Sequence, residues 1–271
     1  MTATLSDASP AKLGGPAGYL TQVMAVASAE ALKLRHEPMD LLSRAVQPVL
    51  WLLLFGQVMA RARVLSAPGG SYIDFLAPGV LAQSVLFVAI FYGLSAIWER
   101  DLGVLHRYLV SPAPRSALVI GKALASSLRG LSQTVVIYLC AALLGVTLSW
   151  SPLAILGVIV LVVLSSALFS TFSLIIACLV KTRERFMGIG QFLTMPIFFA
   201  SNAIYPISVM PPWLRAISRG NPLSYEVDGL RALMLGGGHS QFGLGLDALV
   251  LLVTFAGLTV IATRMYPRLT Q

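Results

Sequence analysis

The residues of this chain that could do chemistry are few and scattered. His36, His106 and His239 are far apart in sequence, whereas a metal centre or histidine-based catalysis needs its groups gathered. Cys140 and Cys178 sit inside apolar runs without CxxC spacing, so they read as small buried hydrophobes rather than ligands or a disulfide. Gly121-Lys122 is the nearest approach to a P-loop, but Ala123 occupies the Ser/Thr place and Ser116 that of the first glycine. Nor is it expected to follow a strand, as a P-loop must. The chain therefore offers no ATP site of its own. Asp74 and Asp247 lie near the ends of apolar runs, and no Asp or Glu falls in the middle of one. Proton- or sodium-coupled carriers ordinarily need such groups. An enzyme acting on lipid-linked substrates would need clustered His, Asp or Glu, which the sequence lacks.

What remains is polar but not catalytic. Gln57, Gln83, Gln191, Thr194 and Asn202 are single polar residues in apolar surroundings, for which hydrogen bonds between helices are a sufficient use. Ser126, Ser127, Arg129, Ser132, Gln133 and Thr134 form a denser group. An arginine in hydrocarbon must snorkel, pair or face water. Two readings of Arg129 stay open: it lines a path or cavity, or its helix projects far enough to leave it at head-group depth. Ser166, Ser170, Ser173 and Ala177 recur at helical spacing and read as a packing stripe, with substrate contact as the alternative.

The elements that position these residues follow from composition. Of 271 residues, 57% are hydrophobic and only 11% charged, against about 25% charged in a soluble domain. Several runs reach the roughly 20 apolar residues that cross a hydrocarbon core of about 30 Å. The expected architecture is an all-α polytopic membrane protein. Residues 1–15 read as a disordered leader without a signal-peptide core, and 16–36 as an amphipathic helix lying on the membrane. The transmembrane domain, 41–268, divides into six spans: about 41–60, 75–98, 117–145, 153–180, 186–204 and 244–265. Pro78-Gly79 is expected to kink the second and Pro196 to interrupt the fifth.

Basic residues set the orientation. Thirteen of the 19 Lys and Arg residues fall on the face that holds both termini, five on the other, and Arg129 within the third span. Both termini are expected in the cytoplasm. The same clustering at span ends explains the net charge of +8 without nucleic acid.

Two polar segments then stand out. On the inner face, WERDLGVLHRYLVSPAPRSALVIGK joins the second and third spans. Leu102, Leu105, Leu109 and Val110 share one face of a short helix, and Pro112 and Pro114 stop it. Periodicity alone allows it to dock on a partner or to lie in the head groups. On the outer face, 206–235 is too apolar for a free loop and too broken by Pro211, Pro212, Gly220 and Pro222 for a span. Two short helices that dip into the outer leaflet fit it, and irregular backbone there must be covered. Asp228 and Arg231, three apart, are placed to pair.

These two segments resemble those of ABC-2-type permeases, the membrane subunits of ATP-driven exporters of the daunorubicin-exporter-like and nodulation-exporter-like groups. ERDLGVLHRYLVSPAPR, from Glu99 to Arg115, is similar to the family's segment after the second span. MPPWLRAISRGNPLSYEVDGLR, from Met210 to Arg231, is similar to its Pro-x-Trp-Leu, Asn-Pro-Leu and Asp-x-x-Arg pattern. The resemblance covers roughly residues 18–268. It implies that the inner segment is a coupling helix docked on a separate ATPase, with Glu99, Arg100, Gly103, Leu105, Arg107, Leu109 and Pro112 at the contact. His106 departs from the acidic residue common in relatives. It further implies that spans one, two and five line the exit path, with Gln57, Gln83, Arg129, Gln133 and Asn202 as path residues. Pro212, Trp213, Asn221, Pro222, Asp228 and Arg231 would belong to an outer re-entrant cap. The implied assembly has two copies of an ABC ATPase that binds ATP and Mg, a second copy of this chain or a related permease, and membrane lipid around it. No cofactor is implied in this chain. The setting implied is a bacterial inner membrane, and the cargo an amphiphilic drug, lipid or glycolipid. A secondary carrier or channel is the alternative.

Overall fold

A computed structural model describes residues 16–35, 46–62, 71–103, 114–180 and 182–267. The 1–15 leader, Arg44, Lys181, Arg268 and the inner segment 104–113 lie outside the described residues. Among the described residues the regular elements are helices: α1 (Pro16–Arg35), α2 (Gln57–Ala62), α3 (Tyr72–Tyr92), α4 (Leu94–Asp101), α5 (Arg115–Leu143), α6 (Pro152–Leu179), α7 (Arg183–Phe199), α8 (Pro212–Gly220), α9 (Pro222–Met234) and α10 (Leu244–Met265). Helix α2 is entered through a π-helical turn, Trp51–Gly56, and belongs to an apolar helical run, Val46–Met59.

The starts of these helices are written locally. Ser71 caps α3 by accepting from Ile73 N, and Thr182 caps α7 by accepting from Arg185 N. Pro152 and Pro222 open α6 and α9 at positions where an N–H would have no helical partner. Pro78 and Pro196 each remove one backbone bond, yet α3 and α7 run through them, as membrane helices tolerate, so the interruption expected at Pro196 does not occur. The second expected span is broken at Gly93 instead, between α3 and α4.

Three helical stretches are both long and apolar enough to cross a membrane: Tyr72–Asp101, Pro152–Leu179 and Leu244–Met265. Helix α5 has 29 residues but carries Arg115, Lys122 and Arg129, and α7 has only 17. Helix α3 is the axis of the bundle, with every residue from Phe75 to Leu86 buried. Helix α10 is peripheral and exposes Leu249, Leu252, Val253, Val260 and Ile261. Lipid is as apolar as leucine, so close backbone approach rather than the hydrophobic effect holds such helices together. The serine stripe does this. Ser166 packs on Gly130 of α5 and Ser173 on Gly93, leaving no room for a Cβ at either glycine. Gly79 of α3 likewise receives the backbone of Ala203.

Helix α1 lies along α5, with Val26 against Gly121 and with Val23 and Ala27 buried. Leu20, Met24 and Leu32 remain exposed.

Candidate functional site

The two ends of the bundle are built differently. At one end, Leu148 forms an isolated antiparallel bridge with Leu235, and Ser149 N donates to Met234 O at 2.8 Å. Thr147 N also donates to Asp74 Oδ1 at 3.3 Å. The α5–α6 turn, the start of α3 and the end of α9 therefore share this end. At the opposite end, Arg183 Nε donates to Asp101 Oδ2 at 2.9 Å, and its guanidinium lies 3.9 Å from the centre of the Trp98 ring. Arg100 donates to the other oxygen of Asp101 and, at 3.4 Å, to Val180 O. Asp101 thus bridges two arginines from different helices.

Glu99 does not face outward. It is 5% exposed, and Lys122 Nζ donates to its Oε2 at 2.6 Å. In this structure the carboxylate expected to meet a partner protein is held inside the bundle, tying α4 to α5. The Gly121-Lys122 pair serves the same packing: its glycine admits α1 and its lysine meets Glu99. Beyond Asp101 the helix closes on Gly103, whose N–H donates to Arg100 O and whose φ of +71° lies in the left-handed region. That is a helix C-cap geometry that glycine adopts without the strain of a Cβ. Among the described residues, no neighbour lies within 4 Å of a Cβ placed there. Leu105, Arg107, Leu109 and Pro112 lie outside the described residues.

The far end is a polar cap under cover. Pro212 begins α8, whose Trp213 and Ile217 are exposed and line an open apolar groove with Phe199. Asn221 turns the chain between α8 and α9: its Oδ1 accepts from Leu223 N and its Nδ2 donates to Ile197 O. Helix α9 then carries three buried ionisable groups, Glu226, Asp228 and Arg231. Asp228 and Arg231 do not pair as their spacing suggested. Asp228 Oδ2 accepts from Gln241 N, Phe242 N and Ser240 Oγ, closing the loop that follows. Arg231 reaches Asn202 O at 3.0 Å and stacks 4.0 Å from the centre of the Phe75 ring.

Sequence reasoning missed the depth of this cap. Glu226 is fully buried, and Ser165 Oγ, in the middle of α6, donates to its Oε1 at 2.8 Å. The expectation that carboxylates avoid the centre of the bundle is therefore corrected. The residue comes from outside the apolar runs but is packed against one. Asp247, in the first turn of α10, is also buried.

Between the ends, Gln57 is exposed, while Gln133 and Asn202 are buried. Arg129 is half-buried, with its guanidinium 4.9 Å from the centre of the Tyr92 ring. Gln83 is different. It opens on a cavity of about 200 Å³ that it shares with Gln47 from before the π-helical turn, Gln191 of α7, and Ser84, Phe87 and Phe91 of α3. Gln47 and Gln191 are isolated in sequence; only the packing of three elements brings them to one place.

Comparison with known proteins agrees with this architecture. The family described as ABC-2 type transporter matches residues 21–235. The chain is 31% identical over 204 residues to the transport permease ycf38 of Cyanophora paradoxa, covering 74% of this chain and 70% of that one. It is 26% identical over 235 residues to the daunorubicin resistance ABC transporter permease protein DrrB1 of Streptomyces coeruleorubidus, covering 87% and 81%. The inner membrane transport permease YadH of Escherichia coli K12 is 25% identical over 227 residues, 80% of each chain.

Proposed function

This chain belongs to the ABC-2 type transporter family of membrane permeases, and on that premise we propose that it is the membrane subunit of an ATP-driven exporter. Six spans with both termini in the cytoplasm would form half of a path. A second copy or a related permease would form the other half, and two ATPase subunits would bind ATP and Mg and drive it. The likeness to a daunorubicin resistance permease supports an amphiphilic cargo, whether drug, lipid or glycolipid.

The observation that carries this reading is the braced base of the inner segment. Gly103 and Pro114 flank the inner segment, and the helices beside them are joined by the buried Glu99–Lys122 pair. Asp101 ties the same place to α7 through Arg183. A push on a segment so anchored moves α4, α5 and α7 together, as coupling to an ATPase requires.

The experiment is a pull-down of the tagged full chain from its native membrane in mild detergent. A P-loop ATPase in near-equal amount is expected. It should be lost in a Leu105→Asp, Leu109→Asp variant that still elutes as a folded particle. Absence of any ATPase partner from the wild type under several gentle conditions would sink the reading.

One observation favours the carrier alternative: Glu226, Asp228 and Asp247 are ionisable groups buried in the bundle, the type of residue on which coupled carriers rely. Transport that survives ATP depletion and is abolished by an uncoupler would select it.

A further inference from the structure

The cavity beside Gln83 has a composition that discriminates among head groups. Gln83 is 3% exposed, and its Oε1 finds no hydrogen-bond partner among the described residues. A buried carbonyl without a donor is unfavourable, and at membrane depth it is tolerated where it lines a wet or ligand-filled space. Ser84 Oγ is already engaged, donating to Val80 O at 2.8 Å. Ser84 Oγ can still accept, but the side-chain N–H donors of the cavity are those of the three carboxamides, Gln47, Gln83 and Gln191. Each offers an acceptor oxygen and two N–H donors and carries no charge.

The opposing character is aromatic. Phe87 and Phe91 lie one turn apart on α3, with ring centres 6.3 Å apart, and both line the cavity. No acidic or basic side chain is among its described lining residues. Among the described lining residues a cationic head would find only aromatic faces and no carboxylate, and an anionic head no guanidinium or ammonium. Either would leave its charge poorly compensated away from water. A head that both donates and accepts hydrogen bonds, and shows C–H groups to the rings, leaves nothing unpaired. At about 200 Å³ the space falls below the roughly 300–1,000 Å³ of sites that enclose a whole drug-sized ligand. It has room for a head group while the tail stays outside.

We infer that the Gln47–Gln83–Gln191 cavity is a head-group subsite for uncharged amphiphiles bearing hydroxyl or amide groups. This rests on the reading of the chain as an amphiphile exporter. Gln83 supplies the buried acceptor, Gln47 and Gln191 hold the rim, and Phe87 and Phe91 form the wall on which the head lies.

The test uses the purified full chain in nanodiscs, without ATP, and two photoreactive probes with the same alkyl tail. One carries a glucoside head and the other a trimethylammonium head. Crosslinks are mapped by mass spectrometry and competed with unlabelled probe. The glucoside should label the 83–91 stretch saturably and be preferred about tenfold, a ratio that a couple of net hydrogen bonds supply. Gln83→Leu should remove that preference, and Gln83→Glu should turn it toward the ammonium probe. Equal or stronger saturable labelling by the ammonium probe in the wild type would overturn the inference. So would unchanged glucoside labelling in both Gln83→Leu and Gln191→Leu. Because no ATPase takes part, failure of this assay leaves the pull-down result standing. A failed pull-down likewise leaves the labelling pattern readable.

Discussion

Glu99 Oε2 and Lys122 Nζ lie 2.6 Å apart at 7% and 5% side-chain exposure, closing an ion pair inside the bundle where α4 meets α5. Removing one partner strands the other charge, which costs about 3–5 kcal/mol, while replacing both by apolar residues of similar volume is often neutral. Glu99→Ala alone should lower the thermal midpoint of the detergent-purified chain sharply. Glu99→Leu with Lys122→Met should recover most of the loss. A double variant as unstable as the single one would show that the pair contributes more than charge compensation. Glu99→Ala consequently cannot serve as a clean probe of partner docking.

Gly103 offers a cleaner handle on the same end. With φ at +71° and no atom of the described residues within 4 Å of an added Cβ, a side chain there meets backbone strain and no clash among them. Gly103→Ala should cost roughly 1 kcal/mol and Gly103→Asn less, since asparagine tolerates the left-handed region. The strain falls where the proposed coupling segment begins. ATPase co-purification should therefore weaken in the order glycine, asparagine, alanine while the global melt shifts by only a few degrees. An unchanged yield in Gly103→Ala would show that the turn does not set the segment's direction.

At the other end, Asp228 Oδ2 and Asp247 Oδ2 both lie on Ser240 Oγ, at 2.8 and 2.9 Å, while Gly243 N donates to the same oxygen. A serine has one hydroxyl hydrogen, which cannot serve two carboxylates at once. Asp247→Asn supplies an N–H donor toward Ser240 and should hold or raise stability by about 1 kcal/mol. Ser240→Ala removes the group between two buried acids and should destabilise by about 1–3 kcal/mol. Thermal melts of the two variants moving together in either direction would contradict this account of the loop.

How much of this was readable beforehand depended on range. The ends of α5, α6 and α10 are punctuated by Pro114, Pro152 and Gly243 together with charged residues, all local signals that a sequence carries openly. The break at Gly93 was not readable. It is a packing site for Ser173, 80 positions further along the chain, whereas Pro78 carried the stronger local signal and left its helix intact. Glu226 gave no local signal of burial because its partner, Ser165, is 61 positions away. The glutamine cavity was hidden for the same reason: Gln47, Gln83 and Gln191 have meaning only once three elements meet.

Glu226 separates the two transport readings. Its Oε1 accepts from Ser165, and its Oε2 has no partner among the described residues. Glu226→Gln keeps the serine bond and the volume but cannot exchange a proton. The exporter reading expects ATP-dependent efflux within about twofold of wild type and a melt shifted by less than about 1.5 kcal/mol, as for a near-isosteric change. The carrier reading expects transport to be lost with the fold intact. Efflux measured with and without an uncoupler decides between them.

Arg231 tests whether the cap is held by stacking rather than by the ion pair its spacing suggested. Its guanidinium sits 4.0 Å from the centre of the Phe75 ring and donates to Asn202 O, so α9 is fixed to α3 and to the segment before α8 by one planar group. Lysine keeps the charge but not the plane. Arg231→Lys should therefore destabilise by about 1–2 kcal/mol, in the range of a desolvated cation–π contact plus one hydrogen bond. A double-mutant cycle separates the two parts. Arg231→Lys and Phe75→Leu should couple by about 0.5–2 kcal/mol, and the hydrogen-bond part should persist in the Phe75→Leu background. Additive effects would mean that the ring merely fills space and that Asn202 alone holds the arginine. In that case the cap is tied to the end of α7, and motion of α3 would not reach it through this side chain.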